Sequence, residues 1–153
     1  RFNFRGVGKS EGKFDNGLGE LSDAAAALDF IQRNNSNSNE SWVVGFSFGA
    51  LISMQLLMRR PEIFRFISLS PQPNIFDFNF LAPCPTSGLV IHGDQDQLVP
   101  KDTMIVLKEK LVSQKNITVD FNEIKGANHF FTGKEKDLVD CIDGYIKKES
   151  RLF

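Results

Sequence analysis

One serine of the chain lies between two glycines, in Gly45-Phe46-Ser47-Phe48-Gly49. Two aspartates stand close together at Asp94 and Asp96, and the only histidines are His92 and His129. A serine hydroxyl is a weak nucleophile until a base takes its proton, and imidazole is the commonest such base near neutral pH. A carboxylate on the far ring nitrogen then holds the imidazole in one tautomer and balances its charge. These residue types, in the chain order serine, acid, histidine, are suited to nucleophilic acyl transfer. The glycines fit that use, because a serine on a tight strand-to-helix turn leaves little room for side chains at Gly45 and Gly49. The same turn would aim the Phe48 backbone N–H at a developing oxyanion, beside the positive end of the following helix. Alone the pentapeptide is a weak signal, and its bland alternative is a Gly-rich packing turn.

The base must be one of two residues. His92 ends the apolar run Leu89-Val90-Ile91 and reads as a buried hydrogen-bonding partner. His129 follows Gly126-Ala127-Asn128, in a loop from which an imidazole can swing toward a serine. The acid is open on residue chemistry. Asp94 directly follows Gly93 and could simply hold a turn through nearby N–H groups. Asp96 lies further into the loop, with freer reach, and is favoured without being decided.

The elements that must position these residues follow from hydrophobic spacing. Residues 1–4 alternate like the end of a strand, and 6–12 are a Gly-rich loop. Apolar positions Leu21, Ala24, Ala25, Leu28 and Ile31 recur at helical steps, predicting a helix over 18–33. The polar run at 34–39 reads as a surface loop. Residues 42–44 predict a buried strand, and 48–60 a helix stopped before Pro61. Further strands are expected over 64–69, 88–92 and 117–123, and further helices over 101–114 and 134–148. The span 71–85 is a Pro- and Phe-rich connection. Strands alternating with helices imply an α/β fold, a mostly parallel sheet with flanking helices covering both faces. Function in such sheets gathers at the carboxyl ends of the strands, where Ser47, both aspartates and His129 all fall.

Composition narrows the field. With 153 residues, 41% of them hydrophobic and 24% charged, the chain has the make-up of one soluble globular domain. A net charge of −1 removes the electrostatic case for nucleic-acid binding. No apolar run approaches the length of a membrane-spanning helix. Cys84 and Cys141 are far apart, with no metal or redox spacing, so a reduced, cytoplasmic setting is expected. Without a secretory signal, the glycosylation triplets at Asn34, Asn39 and Asn116 carry no meaning. Gly8-Lys9-Ser10 imitates a phosphate-binding loop, but Asn3 stands where that motif needs a glycine. Nothing calls for a cofactor or a metal.

Taken together, the motifs resemble those of the α/β-hydrolase superfamily, in particular a small uncharacterised bacterial branch. The resemblance rests on the opening 1–12, the turn Gly45-Phe46-Ser47-Phe48-Gly49-Ala50, the acid loop 92–100 and the histidine loop 126–131, and so spans nearly the whole chain. It implies an α/β-hydrolase fold over 1–153 as a single domain. Many related hydrolases insert a lid between the strands at 64–69 and 88–92, but the connection of about 17 residues here allows only a flap, so no lid domain is expected. It also implies a catalytic set of Ser47, Asp96 and His129, the second aspartate of the loop being that superfamily's usual acid. The superfamily carries strands ahead of the segment matched here, and a loop that supplies a second oxyanion donor. The abrupt start at Arg1 accordingly leads us to expect a chain truncated at its N-terminus.

The expected activity is cofactor-free hydrolysis of a small ester or similar acyl substrate through an acyl-enzyme. Phe46, Phe130 and Phe76 are the candidate walls of an apolar pocket. The alternative for the connecting Phe residues is that Phe76, Phe78 and Phe80 tuck against the body or mark a dimer contact. A reading from a different class is a non-catalytic module on the same fold that binds a ligand or partner. The lysines at 134, 136, 147 and 148 read as a solvated face, and Cys141 as core.

Overall fold

Four short apolar runs become four parallel strands in the computed structural model, which describes residues 1–150. In chain order the elements are α1 (Leu18–Asn34), β1 (Ser41–Phe46), α2 (Phe48–Leu57), β2 (Ile63–Leu69), β3 (Gly88–Gly93), α3 (Lys101–Val112), β4 (Val119–Ile124) and α4 (Glu135–Ser150). The strands lie in the order β1-β2-β3-β4, each parallel to its neighbour, so successive strands pair through crossovers. The connection from β2 to β3 contains only a short 3₁₀ turn, Asn79–Leu81. No lid is built from it.

Strand alternation sorts the core into two layers. Phe66, Val90 and Val119 pack with Ile52, Met54 and Leu57 of α2 and with Met104, Leu107 and Leu111 of α3. Ile67, Leu69, Leu89, Ile91 and Ile124 face the other way, against Tyr145 and, partly buried, Leu138 and Ile142 of α4. The helices α1, α2 and α3 thus cover one face and α4 the other. Gly88 lets β3 approach β2 closely, since a Cβ there would lie 2.4 Å from the Phe66 ring.

Three expectations need correction. Residues 1–4 form no strand; Phe4 instead packs its ring edge-on against Phe48, 6.0 Å between centroids. The strand at 42–44 runs longer, Ser41–Phe46, and is not buried on both faces. It is the edge of the described sheet. α4 reaches Trp42 through Tyr145, ring centroids 6.0 Å apart, while Val44 and Phe46 are left 56% and 40% exposed. Cys141 is only half-buried, its Sγ accepting from Asn122 Nδ2 at 3.0 Å.

The start of α1 carries a charge that periodicity does not reveal. Glu20 is 1% exposed, and its carboxylate accepts the N–H of Asp15 and the N–H of Gly17, each at 2.8 Å. Burial pushes this carboxyl up, but the N–H donors of Asp15, Glu20 and Gly17 and the nearby Arg5 charge outweigh burial and hold it below the ordinary range. A depressed carboxyl stabilises the fold in its ionised form, and that contribution fades as pH falls through the native value. Glu20→Gln is therefore expected to lose about 1–3 kcal/mol at pH 7. The gap to the parent should narrow below about pH 4.5. Urea unfolding at both pH values measures it; a gap that widens in acid would reverse the sign argued here.

Candidate active site

β1 ends at Phe46 and α2 begins at Phe48, so Ser47 has to turn the chain by itself. It does so at φ 54° and ψ −116°, in the left-handed half of backbone space that a residue with a Cβ rarely occupies. Its N–H is tied to Leu69 O at 2.8 Å, at the end of the neighbouring strand. The strained turn lifts the hydroxyl clear of both elements. Phe48 is the first residue of α2, so its N–H has no carbonyl a turn earlier to bond and points out of the helix end.

The two glycines of the turn are not equivalent. A Cβ on Gly45 would lie 2.3 Å from Gly49 O and from Ser53 Oγ, and 2.7 Å from Ala50 Cα. A Cβ on Gly49 would meet nothing within 4 Å, which corrects the expectation that both positions are closed. Gly45→Ala is expected to cost about 3 kcal/mol, because a backbone carbonyl cannot yield as a side chain can. Gly49→Ala should be neutral or stabilise by about 0.5 kcal/mol, as glycine is the poorer helix residue. Denaturation midpoints of the two variants test the asymmetry.

The acid loop follows β3. Asp96 is anchored through Oδ1, which accepts the N–H of Leu98 at 2.8 Å and of Val99 at 3.1 Å. Its Oδ2 lies 2.7 Å from His129 Nδ1, and His129 Nε2 lies 2.9 Å from Ser47 Oγ. The two side chains are 3% and 4% exposed, so this pair is shielded from water. The fold thus brings three of the predicted residues into one hydrogen-bonded line. Asp94, the competing acid, does hold a turn, but across the site: its Oδ1 accepts the Gly126 N–H at 2.6 Å and roots the histidine loop. His92, expected to be a buried hydrogen-bonding group, is only half-buried, and its Nε2 lies 4.0 Å from Glu123 Oε2, beyond hydrogen-bonding range.

Several residues that spacing did not single out hold His129 in place. Ser70 is fully buried at φ 44° and donates its hydroxyl to His129 O at 2.9 Å. Asn128 Oδ1 caps the loop, accepting the N–H of Phe130 at 3.0 Å and of Thr132 at 3.1 Å. Gly93 is a close approach, since a Cβ there would lie 2.1 Å from Ala127 O. Gln72 touches Ser47 itself, Oε1 to Oγ at 3.1 Å. The visible signals were an Asn directly before the histidine and a glutamine held between prolines. Neither identifies a contact without the fold.

The aromatic candidates divide. Phe46 and Phe130 flank His129, with ring centroids 5.5 and 5.1 Å from the imidazole, and Phe130 is 63% exposed. Phe76 packs on Phe48 instead, 5.9 Å away, and Phe78 is buried in the core, as the bland reading of the connection had it. Among the described residues, no group of three or more His, Cys, Asp or Glu is arranged to hold a metal ion. Nor is any helix among them long and apolar enough to cross a membrane.

Residues 11–151 match the dienelactone hydrolase family. The chain belongs to that family. An uncharacterized protein of Rickettsia prowazekii is 49% identical over 150 residues, 95% of this chain and 63% of that protein. The chain therefore spans less than two thirds of the length of the curated relative it matches. A solved structure of a protein of unknown function from Agrobacterium tumefaciens superposes with a TM-score of 0.95 at 53% identity, covering 99% of this chain and 69% of that one. A lidless α/β serine hydrolase from Xanthomonas campestris has a TM-score of 0.84 at 31% identity, over 97% of this chain and 65% of that one. The family member described here has the α/β-hydrolase fold.

Proposed function

We propose that this protein is a serine hydrolase of small carboxylic esters or similar acyl compounds, acting through an acyl-enzyme. The observation that carries the reading is the unbroken line from Asp96 Oδ2 to His129 Nδ1, 2.7 Å, and from His129 Nε2 to Ser47 Oγ, 2.9 Å, ending on a serine at φ 54°. A carboxylate with no proton only accepts, so Asp96 takes the Nδ1–H and leaves the Nε2 lone pair facing the hydroxyl. Ser47 Oγ attacks the acyl carbon as its proton passes to Nε2. The carbonyl π pair moves onto oxygen, and the oxyanion takes the Phe48 N–H at the positive end of α2. Collapse expels the alcohol, which leaves with the proton from Nε2. Water then repeats the sequence on the acyl-enzyme, giving a carboxylic acid and free Ser47.

Phe46 and Phe130 beside the imidazole favour an apolar acyl group over a charged one. The Xanthomonas relative is an α/β serine hydrolase, which supports the same chemistry. A fluorophosphonate probe should label the protein on Ser47, and the Ser47→Ala variant should stay unlabelled. Equal labelling of the two would remove Ser47 as nucleophile.

A further inference from the structure

Two groups among the described residues bond to the Ser47 hydroxyl: His129 Nε2 at 2.9 Å and Gln72 Oε1 at 3.1 Å. Gln72 is held as firmly as the catalytic candidates. It lies between Pro71 and Pro73, and a residue before proline is confined to extended backbone. Its carbonyl accepts the N–H of Ile75 at 3.1 Å and of Phe76 at 3.0 Å. The segment around it touches each loop of the site. Leu69 O receives the Ser47 N–H, Ser70 Oγ donates to His129 O, and Asn74 Nδ2 donates to Leu98 O at 2.9 Å in the acid loop.

Proton counting then restricts how the carboxamide can face the serine. With a neutral imidazole, Nδ1–H points at Asp96 and Nε2 must accept the only proton Oγ has. Oγ then turns a lone pair toward Gln72, and a second oxygen 3.1 Å away would repel it. The amide nitrogen has to occupy that position. With a protonated imidazole the pattern inverts: Nε2–H donates to Oγ, and the hydroxyl proton is free to go to Gln72 Oε1. A glutamine amide satisfies both states by rotating about its last bond, whereas a carboxylate or a thioether satisfies at most one.

We propose that Gln72 is a positioning residue for Ser47, and that its carboxamide turns with the charge on His129. Nε2 donates to Oγ when the imidazole is neutral, and Oε1 accepts from Oγ when it is protonated. The proposal rests on the Ser47–His129–Asp96 reading and extends it. In the neutral state the donor fills one lone-pair direction on Oγ and keeps the hydroxyl proton aimed at Nε2, ready for transfer. The charged groups of the acid loop and of the segment leading into α4 have other partners. Asp96 is committed to Nδ1, Asp94 to the Gly126 N–H, and Lys134, just before α4, to Asp137 at 3.4 Å. Phe46 and Phe130 present uncharged rings, and Ser70 bonds the backbone carbonyl.

The test reads Gln72 directly in the parent protein. Its side-chain amide signals in ¹⁵N-edited NMR, assigned by their loss in Gln72→Met, should titrate with the same midpoint as the His129 ring proton. The second arm is the pH profile of p-nitrophenyl acetate hydrolysis. Gln72→Met, with no donor or acceptor at that position, should lower kcat by about 3–10-fold with KM and the acid limb unchanged. Gln72→Glu places an acceptor-only charge there and should move the acid limb of kcat/KM up by about one pH unit or more. Amide signals that stay flat across the His129 titration overturn the proposal, and so does a Gln72→Glu profile superimposable on the parent's. Co-titrating amide signals in a protein without Ser47-dependent turnover would support the coupling and retire the hydrolase reading, so the two failures are separable.

Discussion

Ser47→Ala is expected to lower kcat for p-nitrophenyl acetate by about 10⁵–10⁶, leaving only what binding and the oxyanion donors sustain. The variant should fold normally, because alanine keeps the Cβ and the Ser47 side chain carries no part of the core. Alanine also suits the strained φ of 54° no worse than serine does. The sharper measurement is the double variant. In the proposed mechanism Ser47 and His129 share one proton across 2.9 Å, so they would act as a unit and their losses would not add. Adding His129→Ala to Ser47→Ala should change kcat by less than about threefold. A further loss of several orders of magnitude would mean that the histidine serves some other step.

Asp96→Asn should cost about 10⁴ in kcat while leaving the fold intact. The loss is tautomeric in origin. Oδ1 of Asp96 is already occupied by the N–H groups of Leu98 and Val99, at 2.8 and 3.1 Å, so the asparagine oxygen must stay there. Its NH₂ then takes the place of Oδ2, 2.7 Å from His129 Nδ1. Two donors cannot face each other at that distance, so the imidazole moves its proton to Nε2 and accepts at Nδ1. Nε2–H has no lone pair for the Ser47 hydroxyl, and the base is lost without any change in shape. Alkaline pH would not restore it. Asp94→Asn is the contrast, since it weakens one bond to the Gly126 N–H and leaves Nδ1 facing a carboxylate. A comparable loss in both variants would show that loop geometry, not the tautomer, is at stake.

The regular elements were readable because their signals are local. Helical spacing in 18–33 and apolar runs at 64–69 and 88–92 correspond to α1, β2 and β3 with boundaries moved by one or two residues. Errors arose where burial depends on distant partners. The run Trp42-Val43-Val44 looks like a strand covered on both faces, yet coverage depends on which distant helix reaches it, and Tyr145 of α4 reaches Trp42 while Val44 and Phe46 stay exposed. Residues 1–4 alternate like a strand, but a strand exists only when a second strand supplies its hydrogen bonds. Gly49 reads as sterically required by its motif, while the space beside it is a property of the packed helices.

The candidate site divides along the same line. The residue types, their order, and the strand-to-helix turn around Ser47 are written in contiguous residues, and from them the chemistry can be named. The choice between Asp94 and Asp96 was not open to local reasoning: both are carboxylates two positions apart, and they differ in which loop the backbone carries them toward. Gln72, Ser70 and Gly93 were equally invisible, since each acts across 25 to 59 residues of chain or through an absent side chain. Short-range spacing encodes which groups are available and what periodic element carries them. Packing of the sheet against its helices sets the 2.7 and 2.9 Å separations between loops far apart in the chain, and on those distances the proposed proton relay depends.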